Sequence, residues 1–278
     1  MVVAAWALIP DQIESVAGFL ILGSLSAMLF SAAKAGFGGA IGLLATPVMV
    51  YACGKDAKLA AAIMLPLLIV ADQVALVSWW GKWNLRVVGL LLPGAVAGIA
   101  AGAAAFAWMR HLEQSGAPDV ANAGLMLIIG VISLAFVLIQ VFRALRAAPP
   151  AFRPVLWQGT CFGAAAGFTS CLAHGAGPVT AMYLLPQKLP KQQFVASTVL
   201  YYWINNLLKV PVYILLGRMA AGAMTASLLL VPAVVAGTLL GLALHKRVNQ
   251  RHFSVVVYVL LTLTGVHLIA QAVETFSP

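Results

Sequence analysis

Apolar residues run along this chain in long uninterrupted stretches, and charged side chains fall mostly in the gaps between them. With Asp, Glu, Lys and Arg as breaks, uncharged runs cover 15–33, 35–54, 87–109, 120–142, 154–187, 219–245 and 252–273. A helix crossing the hydrocarbon of a bilayer needs about 20 apolar residues. Backbone amides in lipid must pair within their own segment, so the pattern predicts helices. The alternation of a membrane β-barrel is absent from it. Ten hydrophobic segments are expected: 13–33, 36–53, 58–80, 86–108 and 120–142, then 154–173, 175–187, 192–216, 219–245 and 253–273. The fold class is therefore an all-α integral membrane protein.

The second five segments repeat the first. Gly36 and Gly175, Gly38 and Gly177, Pro47 and Pro186, Pro93 and Pro232, Gly98 and Gly237, and Gly102 and Gly241 are each 139 positions apart, half the chain length of 278. Pairs kept in register imply a duplicated unit. The expected repeats are 1–146 and 147–278 within one membrane domain. They are joined by an aqueous linker carrying Arg143, Arg146, Pro149, Pro150, Arg153 and Pro154.

Basic residues set the expected orientation. With the N-terminus outside and every segment crossing, the inner loops hold eleven: Lys34, Lys82, Arg86, Arg143, Arg146, Arg153, Lys188, Lys191, Lys246, Arg247 and Arg251. The outer loops hold four, Lys55, Lys58, Arg110 and Arg218. A parallel repeat, with 36–53 and 175–187 as lone re-entrant pieces, gives nine against six. The excess of cytoplasmic basic residues favours the first arrangement. Five segments is an odd number, so the second repeat is expected to be inverted, as in many secondary transporters. Segment 175–187 would be about 20 Å long as a helix, short for a span. The first two segments of each half are thus expected to form a hairpin, with short or re-entrant glycine-led helices near the midplane.

Composition excludes a soluble fold. Hydrophobic residues make up 63% and charged residues 8% of the chain, against roughly 25% charged in soluble domains. The net charge of +9 lies in short loops, so it serves topology and does not point to nucleic acid. Cys53, Cys161 and Cys171 lack metal-binding spacing and read as small helix residues. Asp11 and Glu14 precede the first segment, unlike the basic start of a cleaved signal peptide. Phosphate-loop, zinc-protease and nucleophile-elbow motifs are missing, so neither an enzyme nor a cofactor is expected. Five His and no intramembrane acidic cluster argue against a metal site.

Candidate chemistry gathers at two glycine-rich junctions, Lys34-Ala35-Gly36-Phe37-Gly38-Gly39 and His174-Gly175-Ala176-Gly177-Pro178. Each precedes a short apolar segment, and free amides at a helix start suit an anion. The same glycines also suit close helix packing. Lys34 and His174 occupy nearly equivalent places and could supply positive charge; Lys34 could equally snorkel to water. Asp72 and Lys209 lie in the middle of equivalent segments, where ionisable residues default to functional hypotheses. They would neutralise each other if adjacent. Alternatively, Asp72, with Gln73 beside it, carries a coupling proton while Lys209, Asn205 and Asn206 meet substrate. Trp79, Trp80, Trp83 and Trp108 read as an interfacial belt. Tyr201, Tyr202 and Trp203 lie mid-segment and read as core packing more readily than as the lining of a cavity.

Gly36-Phe37-Gly38-Gly39-Ala40 through Pro47, Gly167-Phe168-Thr169-Ser170 through Pro186, and Ser197-Thr198-Val199 through Asn206, Lys209, Pro211, Tyr213 and Gly217 together resemble the sulfite exporter TauE/SafE family. The resemblance covers roughly 15–273. It departs at Ala40, where a third glycine is common, and at His174–Pro178, which replaces a plainer glycine run. The resemblance implies a bacterial inner-membrane permease for sulfite or an organosulfonate; the mechanism expected is alternating access, and the basic-residue count puts both termini in the periplasm. Its partners would be a small anionic substrate and the lipid bilayer; a homodimer is compatible with the sequence, which does not decide it. A transporter or channel for another small solute, a membrane-embedded enzyme and an assembly factor are the alternatives.

Overall fold

The computed structural model describes residues 10, 13, 15–37, 39, 44–116, 118–145, 155–245 and 250–276. The expected junction between repeats, 146/147, lies outside them, as do Gly38 and Ala40. The described residues outside turns are helical: α1 (Val16–Phe37), α2 (Ala45–Ala52), α3 (Ala57–Ser78), α4 (Leu85–Gln114), α5 (Pro118–Leu145), α6 (Leu156–Ala173), α7 (Ala176–Leu184), α8 (Lys191–Leu215), α9 (Ala221–Leu244) and α10 (Gln250–Phe276). A 3-10 turn, Leu185–Gln187, carries Pro186.

Among the described residues, five stretches are long and apolar enough to cross a membrane: Val16–Gly36, Ala57–Ser78, Leu85–Leu112, Asp119–Ile139 and Ala221–Leu244. The 25 residues of α8 match them in length, but the helix carries Lys191, Ser197, Thr198, Asn205, Asn206 and Lys209. Its apolar signal is diluted by these polar groups, of which Asn205, Asn206 and Lys209 belong to the site described below.

The second segment differs from expectation. It spans 36–53 by hydrophobicity, yet α1 continues through Gly36 to Phe37 and α2 begins only at Ala45. Gly36 is held in α1 because α9 lies against it; a Cβ there would strike the Gly241 carbonyl. The eight residues of α2 make about 12 Å of helix, and the nine of α7 about 14 Å. Neither reaches across a core of about 30 Å. The two breaks meet: Thr46 in the first turn of α2 donates to the Ala173 carbonyl that ends α6, at 2.8 Å.

Packing partners exchange between halves. The fourth helix of each half packs on the first helix of the other, α4 on α6 and α9 on α1. On α4, Gly94, Gly98 and Gly102 face Thr160, Ala164 and Cys171 of α6. In return Gly159 and Gly163 face Leu90 and Leu91. Glycine every fourth residue lets two backbones touch along their length. The rising numbers on both sides show that α4 and α6 run parallel. Gly237 against Met28 and Gly241 against Ala32 show the same for α9 and α1.

Corresponding helices oppose one another. Asp72 bonds Asn206 and Gln73 bonds Trp203 across α3 and α8, while Asn84, just past α3, bonds Ser197. These pairs run in opposite order, so α3 and α8 are antiparallel. Gly130 near Ile269, and Leu134 near Gly265, give the same result for α5 and α10.

Candidate functional site

Two lysines, one aspartate and one histidine converge where the helix breaks meet the middles of α3 and α8. Lys34, in the last turn of α1, places Nζ 2.6 Å from Asp72 Oδ1. The second carboxylate oxygen accepts from Asn206 Nδ2 at 2.6 Å. The Lys34 ammonium also stands 5.2 Å from the centre of the Tyr202 ring, within reach of a cation–π attraction. Lys34 and Asp72 are both buried, at 7% and 0% exposure. Lys34 therefore does not snorkel, and it, rather than Lys209, is the partner of Asp72.

Lys209, fully buried, makes its own set of contacts. Its Nζ reaches the Ser170 carbonyl at 3.1 Å, Ser170 Oγ at 3.0 Å and His174 Nδ1 at 3.1 Å. His174 Nε2 lies 3.0 Å from the Ala61 carbonyl. A carbonyl only accepts, so Nε2 carries the ring proton and Nδ1 accepts from lysine. An ammonium has three hydrogens to donate, which matches these three acceptors. Ser170 Oγ also accepts from Asn205 Nδ2 at 2.7 Å, and Asn205 Oδ1 is left buried without a partner.

Backbone geometry aims His174. It closes α6 with φ of 52°, the left-handed conformation usually given to glycine. A side chain there costs about 1–2 kcal/mol, and the two bonds to its ring hold it in place. Beyond it Gly175 caps α7, and Gly177 lies in the first turn, where amides carry partial positive charge.

A cavity of about 30 Å³ lies among these groups, lined by Lys34, Gly39, Ser170, His174, Gly177 and Asn206, with Phe30, Met64, Leu68, Ala176 and Tyr202 completing the wall. Gly39 has φ of 77°, and a Cβ there would come within 2.7 Å of the Tyr202 ring; glycine is required on both counts. Lys209 and Asn205 stand behind this wall, joined to Ser170. Gly175 adjoins the wall through its neighbour Ala176, whereas Gly36 belongs to the α1–α9 contact. Gln73 is exposed and accepts from Trp203 Nε1 at 3.1 Å, away from the cavity.

Ser170 and Tyr202 are the site residues that the sequence does not single out for this role. Ser170 appears only inside a family-like motif, and Tyr202 reads as packing more readily than as the cavity lining it turns out to be. Trp79 differs from the expected belt: it is 7% exposed, donates Nε1 to the Ala35 carbonyl at 3.0 Å, and stacks edge-on 5.1 Å from His245. His245 Nδ1 meets the Gly36 carbonyl, and Lys191 Nζ donates to the His245 carbonyl at 2.7 Å. Trp80 and Trp108, 68% and 61% exposed, remain on the surface as a belt requires. The three cysteines are free thiols.

Long apolar helices enclosing a small charged cavity define a multi-pass membrane protein. The chain belongs to the family described as Sulfite exporter TauE/SafE, whose family model matches residues 16–268, and it is a membrane transporter of that family. Comparison with curated proteins and with solved structures found no match.

Proposed function

We propose that this protein exports a compact sulfur oxyanion, with sulfite as the leading candidate, across the bacterial inner membrane by alternating access. The observation that carries the reading is the charge count at the cavity. Counted with both lysines protonated and Asp72 ionised, the set carries two positive charges and one negative, with His174 neutral as a ring that accepts at Nδ1. An anion entering the cavity would complete that set. Burying a charge without a partner is costly, so the excess favours anionic solutes. Lys34, Gly39, Ser170, His174, Gly177 and Asn206 would contact substrate, and Lys209 and Asn205 would support Ser170 and His174 from behind.

A cavity of about 30 Å³ suits a compact ion better than a sulfonate carrying an organic chain; a cavity of about 150 Å³ holds a benzene. In this reading the two halves are inverted repeats, which the opposed directions of α3 and α8 support, and both termini are periplasmic. Export of an anion from a negative-inside cell gains about 2.3 kcal/mol per charge per 100 mV. No coupling ion is then needed, and Asp72 serves to hold the Lys34 ammonium. The test is efflux of radiolabelled sulfite from proteoliposomes under an imposed potential. Efflux that is faster than from protein-free vesicles, follows the potential and is competed by sulfite over taurine supports the reading. Efflux equal to that of empty vesicles overturns it.

A further inference from the structure

Trp79 and Tyr213 hold matching places in the two halves. Trp79 caps the end of α3, and Tyr213 lies in the last turn of α8. Because α3 and α8 are antiparallel, the two rings stand at opposite ends of the molecule. Each donates to a carbonyl near the end of the first helix of its own half: Trp79 Nε1 to Ala35 at 3.0 Å, and Tyr213 Oη to Cys171 at 2.9 Å. Each also meets the fourth helix of the other half. Trp79 lies edge to face with His245, at the end of α9, with 5.1 Å between ring centres. Tyr213 lies edge to face with Phe106 of α4 at 5.8 Å. Phe106 and His245 are 139 positions apart, the same spacing as Gly98 and Gly237 on those two helices. One three-way contact is therefore made twice.

Both contacts join parts that would have to separate for a solute to pass. Glycines hold α1 to α9, and α4 to α6, backbone against backbone, and such close packing makes each pair move as one body. Trp79 pins the end of α3 to the α1–α9 pair, and Tyr213 pins the end of α8 to the α4–α6 pair. The central cavity lies between the pins: Lys34 on its wall precedes Ala35, and Ser170 on its wall precedes Cys171. Trp79 is 7% exposed, and Tyr213 and Phe106 are fully buried, so both contacts are closed in this structure. Packed interfaces of this kind switch between discrete arrangements. We propose that Trp79 and Tyr213 are the two gates of the central cavity, each releasing its own end while the other holds. The proposal rests on the alternating-access reading but not on the identity of the anion.

The test needs no substrate. Cys53→Ala, Cys161→Ser and Cys171→Ala remove the native thiols, and Met64→Cys places one on the cavity wall. A small impermeant methanethiosulfonate is applied to right-side-out and to inverted membrane vesicles. Trp79→Ala should raise labelling about tenfold in one vesicle orientation, and Tyr213→Ala should do so in the other. With one gate favoured open, labelling from the opposite face should fall below that of the parent, a result that loosened packing alone does not give. Trp79→Phe and Tyr213→Phe keep a ring but lose the hydrogen bond, so they carry the test at about fivefold if an alanine variant fails to fold. Labelling that rises from the same face in both variants, from both faces in one variant, or from neither face overturns the proposal. Sulfite efflux equal to that of empty vesicles overturns the choice of anion and leaves these outcomes in force.

Discussion

Lys209 donates a 3.1 Å hydrogen bond to His174 Nδ1, and the Ala61 carbonyl on the far side of the ring fixes that direction. The equivalent place in the other half is taken by the Lys34–Asp72 ion pair. Lys34 and His174 lie at the end of the first helix of each half, and Asp72 and Lys209 sit beyond the midpoint of the third. In the proposed reading, one architecture used twice gives a neutral pair on one side and an excess positive charge on the other.

Lys209→Met removes that excess. Hydrogen bonds to charged groups are worth about 1.5–3 kcal/mol, and each 1.4 kcal/mol is tenfold in affinity. Sulfite binding is therefore expected to weaken by about 10- to 100-fold. Transport kinetics in proteoliposomes check this; an unchanged KM would remove Lys209 from the site.

Asp72→Ala leaves the Lys34 ammonium buried without its carboxylate. Breaking a buried ion pair from one side costs about 3–5 kcal/mol, whereas Lys34→Met combined with Asp72→Leu should recover most of that. Unfolding midpoints in detergent for the two single variants and the double variant form the cycle that measures the coupling. Transport should stay lost in the double variant even as stability returns.

Much of this was legible in the sequence, and the limits have physical causes. Helix bounds follow the apolar runs because the lipid sets their length; α3 and α9 fall within two residues of the expected segments, while α4 runs six residues past the expected end, to Gln114. Asp72, Asn206 and Lys209 stand out because ionisable and amide groups are costly in a bilayer. Their pairing was not legible. Whether Asp72 meets Lys34 or Lys209 depends on how α1 and α8 are rotated against α3, and hydrophobicity does not encode rotation in a helix surrounded by apolar neighbours. Ser170 and Tyr202 were hidden because serine and tyrosine are ordinary in membrane helices. The sequence groups Gly36 with the site, but its backbone contact with Gly241 of α9 accounts for it.

Gly98 and Gly89 lie on the same helix and should respond with opposite sign. A Cβ at Gly98 runs into the backbone of α6, while one at Gly89 meets open space. Gly98→Ala is expected to cost about 1–3 kcal/mol by overpacking. Gly89→Ala should be neutral or gain up to about 1 kcal/mol from helix propensity. Thermal unfolding of the two variants in one detergent decides the matter.

Trp79→Ala should loosen the packing where Trp79 meets His245 and the Ala35 carbonyl. Ser197, 1% exposed, accepts from the Asn84 amide there at 2.8 Å, so a Ser197→Cys thiol is expected to be protected from maleimide in the parent. Adding Trp79→Ala should raise its labelling about tenfold for each 1.4 kcal/mol of closure removed. Unchanged protection would show that Trp79 does not close that end.

The most direct measurement is a crystal structure grown with selenite, a heavy counterpart of sulfite whose selenium can be located by anomalous scattering. The account predicts a selenium peak in the cavity between the halves, with oxygens in hydrogen-bonding reach of Lys34 or Ser170 and of the Gly177 amide. A cavity empty at saturating selenite, in a protein that still transports the ion, would contradict it.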